Sequence, residues 1–372
     1  MRKNNSRKLK LILQNIGKNL GRLIRNFKLR RIKDLIFICL AVIIIFSIPI
    51  VFGAMSNSSY QKISDVEKEN AKNKSAIIKG EKLNIDTSIV KVFTSEGVVK
   101  EVPLEEYVKG VVSTELPFSF EEEAMIAQGI LARTFAVSRI LKPCSIAQQY
   151  GGVICDTVHC QVYKPLEERI KAVGRDQEKL TKKVTDAVNK TKGQVLTYEG
   201  LLVRYPQYFA VSSGRTENAH DVFNTNVPYL KSVVSRGEEE VPNFKSSTSL
   251  SYLEFAQKVN SKYPNANLKS TNLKEQIKIL GRTDGGSVSK IKLGDVTIKG
   301  TDFRSLFGIK SANFELVFGD KVIINCKGYG HGVGMSQWGA NSMAKRGKNY
   351  KEIIKHYYTG VEITDLKKVR IE

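Results

Sequence analysis

Glu115 stands in an apolar corner, after Val111-Val112-Ser113-Thr114 and directly before Leu116-Pro117-Phe118. The other acids nearby, Glu121, Glu122 and Glu123, cluster as they do at a solvated helix start. A carboxyl in apolar surroundings is penalised mainly in its charged form, so its pKa rises and it can keep a proton near neutrality. A general acid needs that property. A second reading stays open: a buried glutamate paired with an arginine, Arg133 in the following helix being the candidate partner.

A second cluster has the residue types of a metal centre. "GGVICDTVHCQVY" supplies Cys155, His159 and Cys160, and Cys144 lies eleven residues before the first of them. The Cys155–Cys160 spacing is at the edge of that found for zinc ligands. Three thiolates and one imidazole close a tetrahedron and leave no position for water, so the expected zinc is structural. A disulfide, allowed outside the membrane, and unligated thiols are the alternatives. Cys326 falls in a strand pattern and reads as a buried free thiol.

Residues 327–347, "KGYGHGVGMSQWGANSMAKRG", place glycine at 328, 330, 332, 334 and 339. No Gly-Lys-Ser/Thr follows and no βαβ unit opens here, so neither a Walker loop nor a dinucleotide site is indicated. Such a run lets backbone approach a ligand, with His331, Ser336, Gln337 and Trp338 as polar and stacking groups; a tight turn around a buried His331 is the plainer alternative. The polar loop "AVSSGRTENAHDVFNTNVPYLKSV" (210–233) has hydroxyls and amides that suit a sugar, although Ser-Ser-Gly-Arg-Thr is also ordinary turn chemistry.

The elements that must position these residues can be read around them. "SIVKVFTSEGVVKEVPL" alternates about Ser95-Glu96-Gly97 and predicts a hairpin. Ser119 and Glu122 fit a capping box, opening a helix from about Phe120 to Leu141. A second helix is expected over Pro165–Asn189, then strand, Glu-Gly turn and strand in "GQVLTYEGLLVRYPQYFAVSS". Residues 250–325 mix a helix at Tyr252–Val259 with several strands, and two short helices follow the glycine-rich loop. Hairpins without βαβ alternation make the fold class α+β.

The formal charge of +22 is concentrated at the N-terminus: the first acid is Asp34, after a run rich in Lys and Arg. "LIFICLAVIIIFSIPIVFGAM", residues 35–55, carries no charge, includes Cys39, and has the ~20-residue length of a membrane-spanning helix. The basic flank puts residues 1–34 in the cytoplasm and the rest outside. The run is longer than a signal-peptide core, so an uncleaved anchor is expected rather than a cleaved signal peptide. Residues 56–85 read as a polar linker. Without the tail an excess of about +10 remains, which suits an anionic wall polymer; no nucleic-acid-binding signature accompanies it, so nucleic acid is not an expected partner.

Over residues 86–372 the chain resembles the SpoIID/LytB domain family, on "LEEYVKGVVSTELP", "AQGILARTFA", "YFAVSSGRTENAHDVF", "VPYLKSV" and, most specifically, "GYGHGVGMSQWGA". The resemblance implies a lytic transglycosylase that cuts peptide-stripped peptidoglycan strands during sporulation engulfment. It would be anchored at the septum between mother cell and forespore. It would work with an amidase, stage II sporulation protein P, and a multispan membrane partner. It implies Glu115 as catalytic acid. It also implies substrate contacts at Arg133, Thr216, Tyr229 and Lys231, to which Ser213, His331 and Gln337 are added from the loops above. Two sub-lobes around a glycan groove are expected. Some relatives carry a metal motif at "CDTVHCQ". Arg215 stands where the family has glycine, a departure from the pattern. Two other functions compete: a non-catalytic wall-binding activator of an amidase, and a zinc hydrolase with a catalytic metal.

Overall fold

The computed structural model describes residues 81–371. The expected cytoplasmic tail and membrane span, residues 1–34 and 35–55, lie outside the described residues, as does most of the linker. The last linker residues form strand β1 (Glu81–Lys82), paired with β16 (Arg370–Ile371). Backbone pairing places them there, which side-chain periodicity could not reveal.

The hairpin β2 (Ile89–Phe93) and β3 (Val99–Pro103) leads into helix α1 (Leu104–Glu115), then α2 (Glu122–Leu141) and the turn-length α3 (Ser145–Gln148). Strand β4 (Ile154–Cys155) pairs in parallel with β2. Helices α4 (Leu166–Val173) and α5 (Gln177–Asn189) precede β5 (Gln194–Tyr198), β6 (Leu201–Leu202) and β7 (Tyr208–Phe209), and then the short α6 (Ala219–Phe223). An insert follows: β8 (Lys245–Leu250), α7 (Tyr252–Lys262), α8 (Leu273–Gln276), β9 (Ile277–Arg282), β10 (Val288–Leu293), β11 (Val296–Lys299), α9 (Gly300–Phe307), β12 (Phe314–Phe318) and β13 (Val322–Lys327). The chain returns through β14 (Met335–Ser336), α10 (Gln337–Lys345), α11 (Tyr350–Tyr357) and β15 (Val361–Asp365) to β16.

The mixed α+β class is as expected, and the buried side chains form two main cores. The larger packs α1, α2, α5, α10 and α11 against the sheet β1-β16-β6-β5-β15. The other lies within the insert, between α7, α9 and the sheets β11-β10-β9 and β12-β13-β8, where Phe255, Phe303, Phe307 and Phe314 pack ring on ring. Helix α2 is long and apolar enough to cross a bilayer, but it is buried from Ala124 to Ser138 inside the first core and is a core helix.

Two helix expectations need correction. Helix α2 starts at Glu122 without a side-chain cap, because residues 117–120 form a turn that buries Phe120 against Trp338 (ring centroids 4.8 Å). The Ser119–Glu122 capping box is therefore absent, and the backbone amide of Glu121 donates to Asn341 instead. The single helix expected over Pro165–Asn189 is two, since Gly174 ends α4 in the left-handed conformation at φ 77°. A true capping box, Ser251 with Glu254, opens α7.

Candidate active site

Helix α1 ends at Glu115 because Pro117 follows: the residue before a proline is driven out of the helical region, and Leu116 is extended at φ −112°, ψ 141°. The carboxylate is thus held at the negative end of a helix, half-buried, where the dipole also disfavours its charge. It accepts from the Val162 backbone amide at Oε1 (3.0 Å), from the Tyr208 hydroxyl at Oε1 (3.3 Å) and from the Gln337 amide at Oε2 (3.4 Å). Burial is the largest influence on it and holds its carboxyl above the ordinary value, against the lowering effect of those three hydrogen bonds. None of the groups that shift it is a carboxylate.

Each partner is placed by its own local structure. Val162 can approach α1 because residue 110 has no side chain: a Cβ there would fall 2.4 Å from Tyr163 and 2.5 Å from the Lys164 carbonyl oxygen. Tyr208 is on β7, which pairs in parallel with β14 (Tyr208 opposite Met335). Gln337 is the first residue of α10, whose start is capped by Ser336. Ser336 in turn donates to Glu238 (2.5 Å), a fully buried carboxylate that also accepts from Ser235 and the Ser212 amide. A further chain runs inward, from the Tyr107 hydroxyl to Gln161 (3.1 Å) and from Gln161 to the Tyr208 hydroxyl (3.2 Å).

Arg133 is not the partner of Glu115, and it is not on the surface. Its guanidinium makes a two-pronged bond to Glu105 (2.9 and 2.6 Å) and donates to the Gln194 and Val188 carbonyls, with no exposed area left for a ligand. Bonded to Glu105 and buried, it is not exposed for the substrate contact expected of it. Thr216 and Tyr229 are likewise buried and engaged. The Thr216 hydroxyl accepts from Val233, and the Tyr229 hydroxyl accepts from the Tyr205 amide. Lys231 is exposed, and Ser213 reaches the insert at Gly285 (3.5 Å).

The glycine-rich loop makes a close approach to its own chain. Gly334, at φ 79°, would put a Cβ 1.9 Å from the Gln207 carbonyl, and the loop is zipped to residues 207–211 by backbone bonds from Tyr329, Met335 and Trp338. His331 accepts from the Val333 amide, packs between Phe209 and Phe223, and is pushed by burial down to about 3, so it is neutral at physiological pH. Of the residues named from sequence, the structure therefore brings Gln337 to Glu115. Tyr208, Val162, Gln161 and Glu238 were not anticipated; only the short spacing of Gln161 and Val162 from Cys160 hints at where those two lie.

Cys144, Cys155, His159 and Cys160 do converge, their ligand atoms all lying within 4.8 Å of one another. The His159 Nδ1 is 3.5 Å from both the Cys155 and Cys160 sulfurs. A tetrahedral zinc with bonds of ~2.3 Å to sulfur and ~2.0–2.1 Å to nitrogen needs about 3.6 Å on that edge, so the donor set fits. All four described cysteines are free, against the disulfide reading. Gln161 and Val162 follow directly on the last ligand, which ties this loop to the carboxylate.

A family profile described as Stage II sporulation protein matches residues 93–198. Stage II sporulation protein D of Bacillus subtilis (strain 168) is 39% identical over 273 residues, 73% of this chain and 77% of that one. An uncharacterised protein of Brachyspira hyodysenteriae is 35% identical over 281 residues, 74% of this chain and 70% of its own. A B. subtilis protein named amidase enhancer is 27% identical over 69% of this chain and 40% of its own length. The chain belongs to the stage II sporulation protein D family, a sporulation family.

Proposed function

We propose that the protein is a lytic transglycosylase that cleaves peptidoglycan glycan strands, with Glu115 as its one acid and base. The observation that carries this reading is a lone half-buried carboxylate, raised above its ordinary value and held by three donors, with no carboxylate among the groups acting on it. A hydrolase of the two-carboxylate kind needs a second acid to serve as nucleophile or base. In a lytic transglycosylase the C6 hydroxyl of muramic acid fills that role. Oε1 accepts two donors, so the transferable proton belongs on Oε2. Glu115 gives that proton to the glycosidic oxygen as the bond to C1 breaks. The muramic C6 oxygen then bonds to C1, its proton passes to the carboxylate, and a 1,6-anhydro ring closes. Val162 and Tyr208 stabilise the carboxylate while it is charged.

The reading extends to peptide-stripped strands as substrate, an amidase and a multispan membrane protein as partners, a membrane anchor at residues 35–55, and the two cores as lobes beside the glycan. Cys144, Cys155, His159 and Cys160 would hold a structural zinc, which when bound fixes the loop that carries Val162. The name of the amidase enhancer favours the second reading, a wall-binding activator of an amidase. Glu115→Gln decides between them, because it removes only the proton. Mass spectrometry of denuded glycan treated with the wild-type protein should show 1,6-anhydromuramic ends, and the variant should make none while still binding wall. Equal cleavage by the variant, or new reducing ends, would sink the single-acid mechanism.

A further inference from the structure

The insert carries a feature that Glu115 does not use. The sheet β11-β10-β9 buries Ile277, Ile291, Leu293 and Ile298 in the second core and turns its other face to solvent. On that outer face Lys278 of β9 lies directly opposite Lys292 of β10, and Lys290 of β10 directly opposite Lys299 of β11. All four are exposed, and among the described residues none has a carboxylate partner. Arg282 shares the sheet, but its guanidinium is taken by the Gly286 and Phe314 carbonyls.

Like charges directly opposite on neighbouring strands weaken a sheet. Lysine on an edge strand is commonly explained as a guard against stray pairing. That explanation does not reach Lys290 and Lys292, because β10 is the central strand. The cations form a grid of about 5 Å across the strands and about 7 Å along them. Lys299 continues it into a crevice also lined by Arg304, Ser289, Thr301 and His331; Asp221 is the one acid that lines it.

We propose that this face is a docking surface for a linear polyphosphodiester, a polymer whose charges recur at about the ~7 Å two-residue step of a strand. Glycan with one carboxylate per disaccharide is charged more sparsely than the grid. A bilayer surface holds proteins through buried apolar area together with attraction to anionic lipid, and of the first this face offers only Leu280. The assignment does not depend on the chemistry of Glu115.

The test uses the full chain and end-labelled, lipid-free poly(glycerol phosphate), with binding followed by fluorescence anisotropy over a range of salt. Replacing Lys278, Lys290, Lys292 and Lys299 together with Gln should weaken binding at least about tenfold. It should also lower the slope of log Kd against log salt by about three, four contacts at ~0.7 each as for a flexible single phosphodiester strand. The same four changed to Arg should bind as wild type. A control with Lys171, Lys179, Lys355 and Lys368 changed to Gln, exposed residues elsewhere, has the same net charge and should lose less than about twofold. The basic residues 1–34 contribute equally to every variant. Equal loss in the control, or undiminished binding by the Gln variant, overturns the proposal. Polygalacturonate bound as tightly as poly(glycerol phosphate) would also overturn it, making the face a general polyanion platform. So would dependence on the four lysines for phosphatidylglycerol vesicles but not for poly(glycerol phosphate), which would make it a membrane surface.

Discussion

Replacing Gly110 with Ala puts a methyl group where α1 touches the segment after the metal-ligand loop. The added carbon would sit 2.4 Å from a Tyr163 ring atom and 2.5 Å from the Lys164 carbonyl oxygen, where ordinary contact begins at 3.4 Å. The ring can turn, but the carbonyl is backbone, so helix and segment must part by roughly 1 Å. That stretches the bond from Val162 to Glu115 from 3.0 Å to about 4 Å, beyond hydrogen bonding. Overpacking of this kind costs about 1–3 kcal/mol, offset by the ~0.5–1 kcal/mol gained when a mid-helix glycine becomes alanine. A net loss of about 1–2 kcal/mol corresponds to a fall of roughly 2–8 °C in Tm for a domain of this size. Cleavage should fall further, by up to about a hundredfold, because the acid loses its shortest anchor. Differential scanning calorimetry and release of anhydro-ended products from denuded glycan measure the two effects. A variant that melts at or above the wild-type temperature and cleaves at full rate would refute the reasoning, and with it the anchoring of Glu115 by Val162.

Arg133→Ala leaves Glu105 without its partner and should destabilise the fold by about 3–5 kcal/mol, seen in urea unfolding; a variant of unchanged stability that loses only glycan binding would restore the substrate contact. Burial raises Glu115 and Glu238 above the ordinary carboxylate value of 4.5, so between that value and the raised ones the native state holds more protons than the unfolded chain. Their contribution is full below 4.5 and is lost as pH rises through the raised values, so Tm should fall less steeply with rising pH in Glu115→Gln than in wild type. Cys155→Ser should lower zinc content, by elemental analysis, together with Tm; the folded fraction should keep partial cleavage, because on the proposed reading the loop of residues 155–160 positions Val162 and supplies no reacting atom. Complete loss of turnover in a fully folded Cys155→Ser protein would assign the metal to the chemistry.

What could be read from the sequence divides by distance along the chain. The apolar setting of Glu115 is written in its immediate neighbours, and so are the β2–β3 hairpin, the end of α2 and the clustered cysteines and histidine of residues 155–160. The groups that hold the carboxylate are not, because Val162, Tyr208 and Gln337 lie 47, 93 and 222 residues away. Arg133 shows how local inference goes astray. An arginine in a helix packed on α1 does pair with a glutamate of α1, but the glutamate is Glu105, at the opposite end. The glycine spacing of residues 328–334 signals close backbone approach correctly, yet it cannot say whether a ligand or the protein's own residues 207–211 will be approached. The split at Gly174 is an ordinary termination signal in retrospect, masked by the helical composition on both sides.

The zipping of residues 329–338 onto residues 207–211 also sets an order of events. Glu115 belongs to the early part of the chain, but Gln337 belongs to α10, and β7 has no pairing strand until β14 exists. Helices α10 and α11 then close the core over α2. A chain that emerges N-terminus first therefore has its acid long before it has the surroundings that hold it. Unfinished or C-terminally clipped molecules would present a loosely tethered glutamate on an open core. On the proposed reading, cleavage therefore waits for residues 335–357, and an acid made early is withheld until that later segment has folded onto it.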